Sequence, residues 1–228
     1  MARRGAISEF RLPTKARVSA DLVPDLQLSH GRAVWVLDQM GFAAGVTPRT
    51  FNHYVKSLRR LGVPFAYGEI GTGSGRPVRY SFNHLMELCL ALTLRIYGIL
   101  PDPVLGGLVR FRHELYGLYR RAYLEYETGL GAPVQISVPG RTELEISGVW
   151  LDLRIRFGGR RTFEFGPPRL LSPFEALRVF SKLDTPGRAH LPLNLSSLAI
   201  GLVECAELAP AIRRGPSPHP ATPGRGAT

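Results

Sequence analysis

The chain has 228 residues, 44% of them apolar, and its 29 Lys and Arg outnumber 18 Asp and Glu to give a formal net charge of +11. That length supports one large domain or two small ones, and the cationic surplus points to a polyanionic partner, nucleic acid or an acidic membrane surface. Two cysteines, Cys89 and Cys205, exclude a disulfide framework; with no signal-type apolar segment in "MARRGAISEF" and no uncharged apolar run of about 18 residues, a cytoplasmic protein with no membrane span is expected.

Residues 1–27 mix Arg, Pro, Ser and Asp with weak periodicity and are expected to form an N-terminal arm. "SHGRAVWVLDQMGF" predicts a first helix with Val34, Leu37 and Met40 on one side, while Trp35 and Val36 also call for burial. Gly41 and Gly45 flank the turn that follows. "GVTPRTFNHYVKSLRRLG", residues 45–62, predicts a second helix with both ends signalled. Thr47 is the N-cap and Pro48 fits the first helical position, where its missing N–H costs nothing. Gly62 suits the position past the last turn, and Pro64 prevents continuation. At 100° per residue Phe51, Tyr54, Val55, Leu58 and Leu61 share one arc, and Arg49, Asn52, His53, Lys56, Arg59 and Arg60 the opposite one.

"FAYGEIGTGSGRPVRYSF" predicts two short strands, Phe65–Glu69 and Pro77–Phe82, joined by a glycine-rich tip. Helix, helix, hairpin is the order of a winged helix-turn-helix. A third helix is expected over Asn83–Tyr97, apolar on most sides and therefore central. A longer fourth helix follows over Val104–Glu127, with a seam of Leu108, Phe111, Leu115, Leu118 and Ala122. It serves either a homodimer, which would demand an inverted-repeat operator, or packing within the chain.

Beyond Pro133 the pattern becomes β-rich. "VQISV", "ELEIS", "VWLDLRIRF" and "RTFEF" predict three or four antiparallel strands, with Glu143, Glu145 and Asp152 facing solvent and Trp150, Phe157, Phe163 and Phe165 in a core. Helices are expected from Ser172-Pro173 to Leu183 and from Leu195 to Leu208. The last residues, 213–228, are too rich in Pro and Gly to fold. The predicted fold class is α+β: an N-terminal winged helix-turn-helix domain (28–100), a long connecting or dimerising helix (101–131), and a small antiparallel-sheet α+β domain (132–212).

The polar arc of the second helix suits double-stranded DNA. The major groove admits one α-helix, whose N-terminal half reaches base edges. Arg49, Thr50, Asn52, His53 and Lys56 stand in that half; Arg can fork to guanine and Asn can pair with adenine through two hydrogen bonds. Arg59 and Arg60 fit phosphates, and Arg76 and Arg79 on the wing can reach the backbone. Residues 46–80 hold six bases and one acid, whereas 132–212 hold nine bases and eight acids, so the surplus concentrates around this helix.

"GVTPRTFNHY" resembles the helix-turn-helix core of MerR-type regulators, in which a Gly-Val-Ser/Thr-Pro-Arg-Thr run opens the recognition helix. "VRYSFNHLMELCLALTLRIYG" is similar to that family's segment after the wing. The resemblance covers residues 33–110. It implies that Thr47, Pro48, Arg49 and Thr50 begin the recognition helix, that Arg79, Tyr80 and Ser81 end the wing, and that the protein is a nucleoid-associated dimer controlling transcription. The alternative on the same residues is a plasmid or phage replication, partition or nucleoid factor.

No enzyme signature appears. "GEIGTGSGRP" lacks the Lys-Ser/Thr ending of a phosphate loop, and the six histidines show no i, i+4 pair and no cysteine partner for a metal. No cofactor is expected. Residues 132–212 are left with contact to a small molecule or a protein partner.

Overall fold

The computed structural model describes residues 23–66, 69, 78–96, 102–137, 143–158, 162–180 and 188–211. Most of the expected arm, the wing tip with Arg76 and the tail 213–228 lie outside the described residues. The described chain is mixed α+β, with seven α-helices and small antiparallel sheets.

The first helix, α1 (His30–Gln39), and the second, α2 (Pro48–Arg60), end alike. Gly41 and Gly62 take φ of +86° and +85°. That geometry lets the Phe42 N–H reach the Leu37 carbonyl and the Val63 N–H reach the Leu58 carbonyl, each across five residues. These closures satisfy carbonyls that a helix end leaves orphaned, and a Cβ at either glycine would be strained. Strand β1 (Leu28–Ser29) precedes α1 and pairs antiparallel with β2 (Arg79–Tyr80). The expected strand Phe65–Glu69 is corrected: Phe65, Ala66 and Glu69, its described residues, are in bends, turns or irregular chain. The partner of β2 is instead the segment before α1.

Helix α3 (Phe82–Ile96) is central, as its all-round apolar composition predicts, and ten of its residues are buried. The single helix expected over 104–127 is two: α4 (Asp102–Arg110) and α5 (Arg112–Leu124), broken at Phe111. One straight rod of that length would run about 36 Å. Broken, the chain lays α4 on the sheet and α5 on the C-terminal helix. Gly107 makes the first contact possible, because a Cβ there would sit 1.9 Å from the Phe165 ring. Leu108, Leu115 and Ala122 of the expected seam are buried within the chain itself.

The β-rich part forms two sheets. Among the described residues, strands β3 (Val134–Ile136) and β4 (Leu144–Ile146) pair only with each other. The long β5 (Trp150–Gly158) is flanked on one side by β6 (Thr162–Phe165) and β7 (Arg169–Leu171), and on the other by β8 (Arg188–Asn194). Strand β8 has no counterpart among the sequence expectations, since Pro192 disguises it. Helix α6 (Pro173–Phe180) follows β7, and α7 (Leu195–Glu207) follows β8, capped by the Asn194 side chain.

The core runs across the expected boundary at 131/132. Helix α7 packs on α1, α3 and α5, and one buried cluster joins Leu37, Phe51 and Leu85 to Leu151, Leu193 and Leu202. Ser196 stitches the halves together. Buried, it donates to the Ala122 carbonyl (2.6 Å) and accepts from the Val149 N–H (2.8 Å).

Two carboxylates lie inside this core. Asp152, expected at the solvent, is fully buried; it accepts from Arg169 Nε (3.1 Å) and lies 3.1 Å from His190 Nδ1. The alternation along β5 is real, but β7 and β8 bring partners over its polar face. Glu143 and Glu145 are exposed as expected. Trp150 and Phe165 are half-buried, while the side chains of Phe157 and Phe163 lie outside the described set. Glu87 on α3 is also fully buried, bonded to the Arg112 guanidinium (2.8 and 2.9 Å) and the Tyr116 hydroxyl (3.2 Å). Burial pushes its carboxyl upward, and the Arg112 guanidinium opposes that. Arg112 also donates to the Gly62 carbonyl, tying α5 to the end of α2.

Candidate nucleic-acid interface

Helix α2 is built as its sequence dictates. The Thr47 hydroxyl accepts from the Thr50 N–H (3.2 Å), satisfying one orphaned donor of the first turn. Phe51, Val55 and Leu58 are buried. Tyr54 is half-buried beneath the Arg95 guanidinium of α3, 3.5 Å from its ring centre. Leu61, expected with the apolar arc, is 40% exposed.

On the opposite side Arg49, His53, Lys56 and Arg60 are all exposed. Their spacing of four, three and four residues places them on one face, over about 16 Å of helix axis. No described acid forms an ion pair with Arg49, Lys56 or Arg60. Not all of this charge has the same physical explanation. Arg59 and Arg60 sit in the last turn, where cations complement the helix dipole. Arg49 stands in the first turn, where no acid accompanies it and the dipole opposes a cation by about 0.3–1 kcal/mol. Lys56 and Arg60 repel at i, i+4, which costs about 0.2–0.5 kcal/mol. Folding alone therefore does not select Arg49 or Lys56.

The remaining predicted residues are differently employed. The Thr50 hydroxyl is 2.9 Å from the Thr47 hydroxyl and so belongs to the cap. Asn52 is half-buried, and its Oδ1 lies 3.0 Å from His30 Nε2. This corrects the expectation that both ends of its amide stand free for adenine. Arg59 is half-buried, unlike the exposed row; burial pushes the Tyr80 hydroxyl up, and the Arg59 charge opposes that push. Arg79 on β2 is exposed. Arg76 lies outside the described residues.

Two residues that lie beneath or beside this surface escaped the sequence analysis in that role: the part-buried His30 and the fully buried Tyr80. His30 opens α1, and its Nδ1 is 3.0 Å from the Tyr80 hydroxyl. It thus joins α1, α2 and β2 across sequence separations of 22 and 50 residues. Its pKa is lowered, chiefly by burial and further by the nearby Arg59 and Lys56 charges, against the raising effect of the Asn52 bond. Burial likewise pushes the Tyr80 hydroxyl up. Local periodicity carries no signal for such a contact.

Elsewhere, the cleft lined by Gly107, Leu108, Phe111, Leu115, Leu153, Phe165, Gly166 and Pro168 has about 170 Å³ of empty space, part of it open to solvent, and brings no polar side chain together. Ligand pockets are commonly about 300–1,000 Å³. Among the described residues no group of three His, Cys, Asp or Glu could hold a metal ion, and no helix is long and apolar enough to cross a membrane. Cys89 and Cys205 are free thiols, Cys89 fully buried. Comparison with protein families, with curated proteins and with solved structures found no match to this chain.

Proposed function

We propose that this protein is a sequence-specific double-stranded DNA-binding regulator of transcription, a winged helix-turn-helix protein of MerR-like type at its N-terminal half. In this reading α2 enters the major groove, and the segment ending at β2 contacts the backbone beside it. The observation that carries the reading is Arg49: exposed, without an ion-pair partner among the described residues, and set where the helix dipole disfavours it. Lys56 and Arg60 extend the same face. A helix with its side chains, about 10–12 Å across, matches the width of the B-DNA major groove, about 12 Å.

The roles follow position. Arg49 and His53, near the N-terminal end, face base edges; Lys56 and Arg60 neutralise phosphates; Arg79 holds the flanking backbone. Cognate DNA comes from in vitro selection on a random duplex pool, followed by a salt titration of the selected duplex. The expected result is one enriched motif and a log–log salt slope of about −3, from the three phosphate contacts of Lys56, Arg60 and Arg79. Recovery of no motif, together with no duplex binding at low salt, overturns the proposal.

A further inference from the structure

The polar chain beneath the exposed row has a direction. Asn52 Oδ1 lies 3.0 Å from His30 Nε2, and an amide oxygen can only accept, so Nε2 carries the imidazole proton. In the neutral ring Nδ1 is then an acceptor, and the Tyr80 hydroxyl, 3.0 Å away, donates to it. Burial favours the neutral ring that this arrangement needs. The end of the chain is an amide whose oxygen is held inward, leaving its NH2 as the group that can meet a ligand. Asn52 lies one helical turn from both Arg49 and Lys56, at spacings of three and four residues, so its NH2 borders the exposed row.

Resting on the DNA-binding reading above, we propose that His30 is a positioning residue that presents Asn52 to the major groove as a donor only. Asn52 then selects acceptor edges, guanine N7 and O6 or thymine O4. The two-bond pair with adenine, which needs the amide oxygen as well, is closed to it. His30 and Tyr80 touch no base; they act through the orientation of one side chain.

Two measurements on the full-length chain test this. Long-range ¹H–¹⁵N spectra of the free protein, with His30 assigned by loss of its signals in His30→Gln, are expected to show a neutral ring protonated at Nε2. A ring protonated at Nδ1 overturns the proposal with no DNA present. The second measurement repeats the selection from a random pool with the wild type, Tyr80→Phe, His30→Leu and His30→Gln. Wild type is expected to favour guanine or thymine at one position of the site. Tyr80→Phe and His30→Leu are expected to shift that position toward adenine, lowering discrimination against an adenine-substituted duplex about tenfold at an unchanged salt slope. His30→Gln, whose amide can accept from Tyr80 and donate to Asn52, restores the wild-type preference. Should His30→Leu fail to fold, Tyr80→Phe, which removes one oxygen, still decides. A wild type that binds no duplex overturns the DNA reading and this proposal together. A wild type that discriminates, beside variants that discriminate identically, overturns this proposal alone.

Discussion

Helix α2 and strand β5 look alike as patterns, each with one apolar side and one charged side, yet the structure uses their charges in opposite ways. Along α2 the row Arg49, His53, Lys56 and Arg60 stays in solvent, and no described acid pairs with its Arg and Lys members. Along β5 the acid Asp152 is sealed in and matched to Arg169 and His190. Glu87 on α3 extends the second class, sealed in and matched to Arg112. An amphipathic pattern identifies the apolar side of an element. It does not say whether the other side is left free or neutralised by the fold. The consequence is a separation: charge removed from α3 or β5 should cost stability, and charge removed from α2 should cost binding.

The largest expected effect lies at the buried pair. Arg112→Met leaves Glu87 without its cation and releases the Gly62 carbonyl, and should lower unfolding free energy in urea by about 3–5 kcal/mol. The pH dependence has a definite sign. Unpaired Glu87 is a buried acid held above its ordinary value of 4.5. The folded state then binds more protons than the unfolded one. Stability is fully present below that value and falls as pH rises through the elevated one. Equal losses at pH 5 and pH 8 would show that burial does not govern this carboxyl.

Asp152→Ala should cost about 1–3 kcal/mol, less than the first change because Arg169 is 53% exposed and recovers water. Its affinity for the selected duplex should match wild type. A loss of binding without a loss of stability would erase the contrast between the two regions. Arg49→Ala should do the reverse. Thermal stability should stay within about 0.5 kcal/mol of wild type, while binding to the selected duplex weakens by about 1–3 kcal/mol and binding to random duplex barely changes.

Thr47→Ala removes the cap rather than a charge. It is expected to lower stability by about 1 kcal/mol in a thermal melt. The smallest effect is Arg60→Ala, which should weaken cognate and random duplexes alike and reduce the salt slope by about one unit. An unchanged slope would remove Arg60 from the phosphate contacts.

Legibility followed the range of the forces involved. The ends of α2 were readable because Thr47, Pro48 and Gly62 act within one turn of themselves. Helix α3 was readable from its apolar composition, and α7 to within one residue at its C-terminal end. The break at Phe111 was not, since no glycine or proline stands at that position; the residue after it, Arg112, bonds Glu87 and the Gly62 carbonyl, which lie 25 and 50 residues earlier and leave no local signal. Nor was the pairing of β2 with Leu28–Ser29, because a two-residue strand has no period. In the candidate interface the exposed members of the row were visible in sequence, whereas the bond of Asn52 to His30 and the half-burial of Arg59 were not.

The sequence by itself determined the α+β class, the basic helix with its caps, and which side of that helix is apolar, because these depend on neighbours one to four residues apart. Tertiary structure alone decided that Asp152 and Glu87 are interior, that one core spans residues 28–209, and that His30 reaches Asn52 and Tyr80. Those outcomes depend on which distant groups arrive at a given face, and local periodicity holds no record of that.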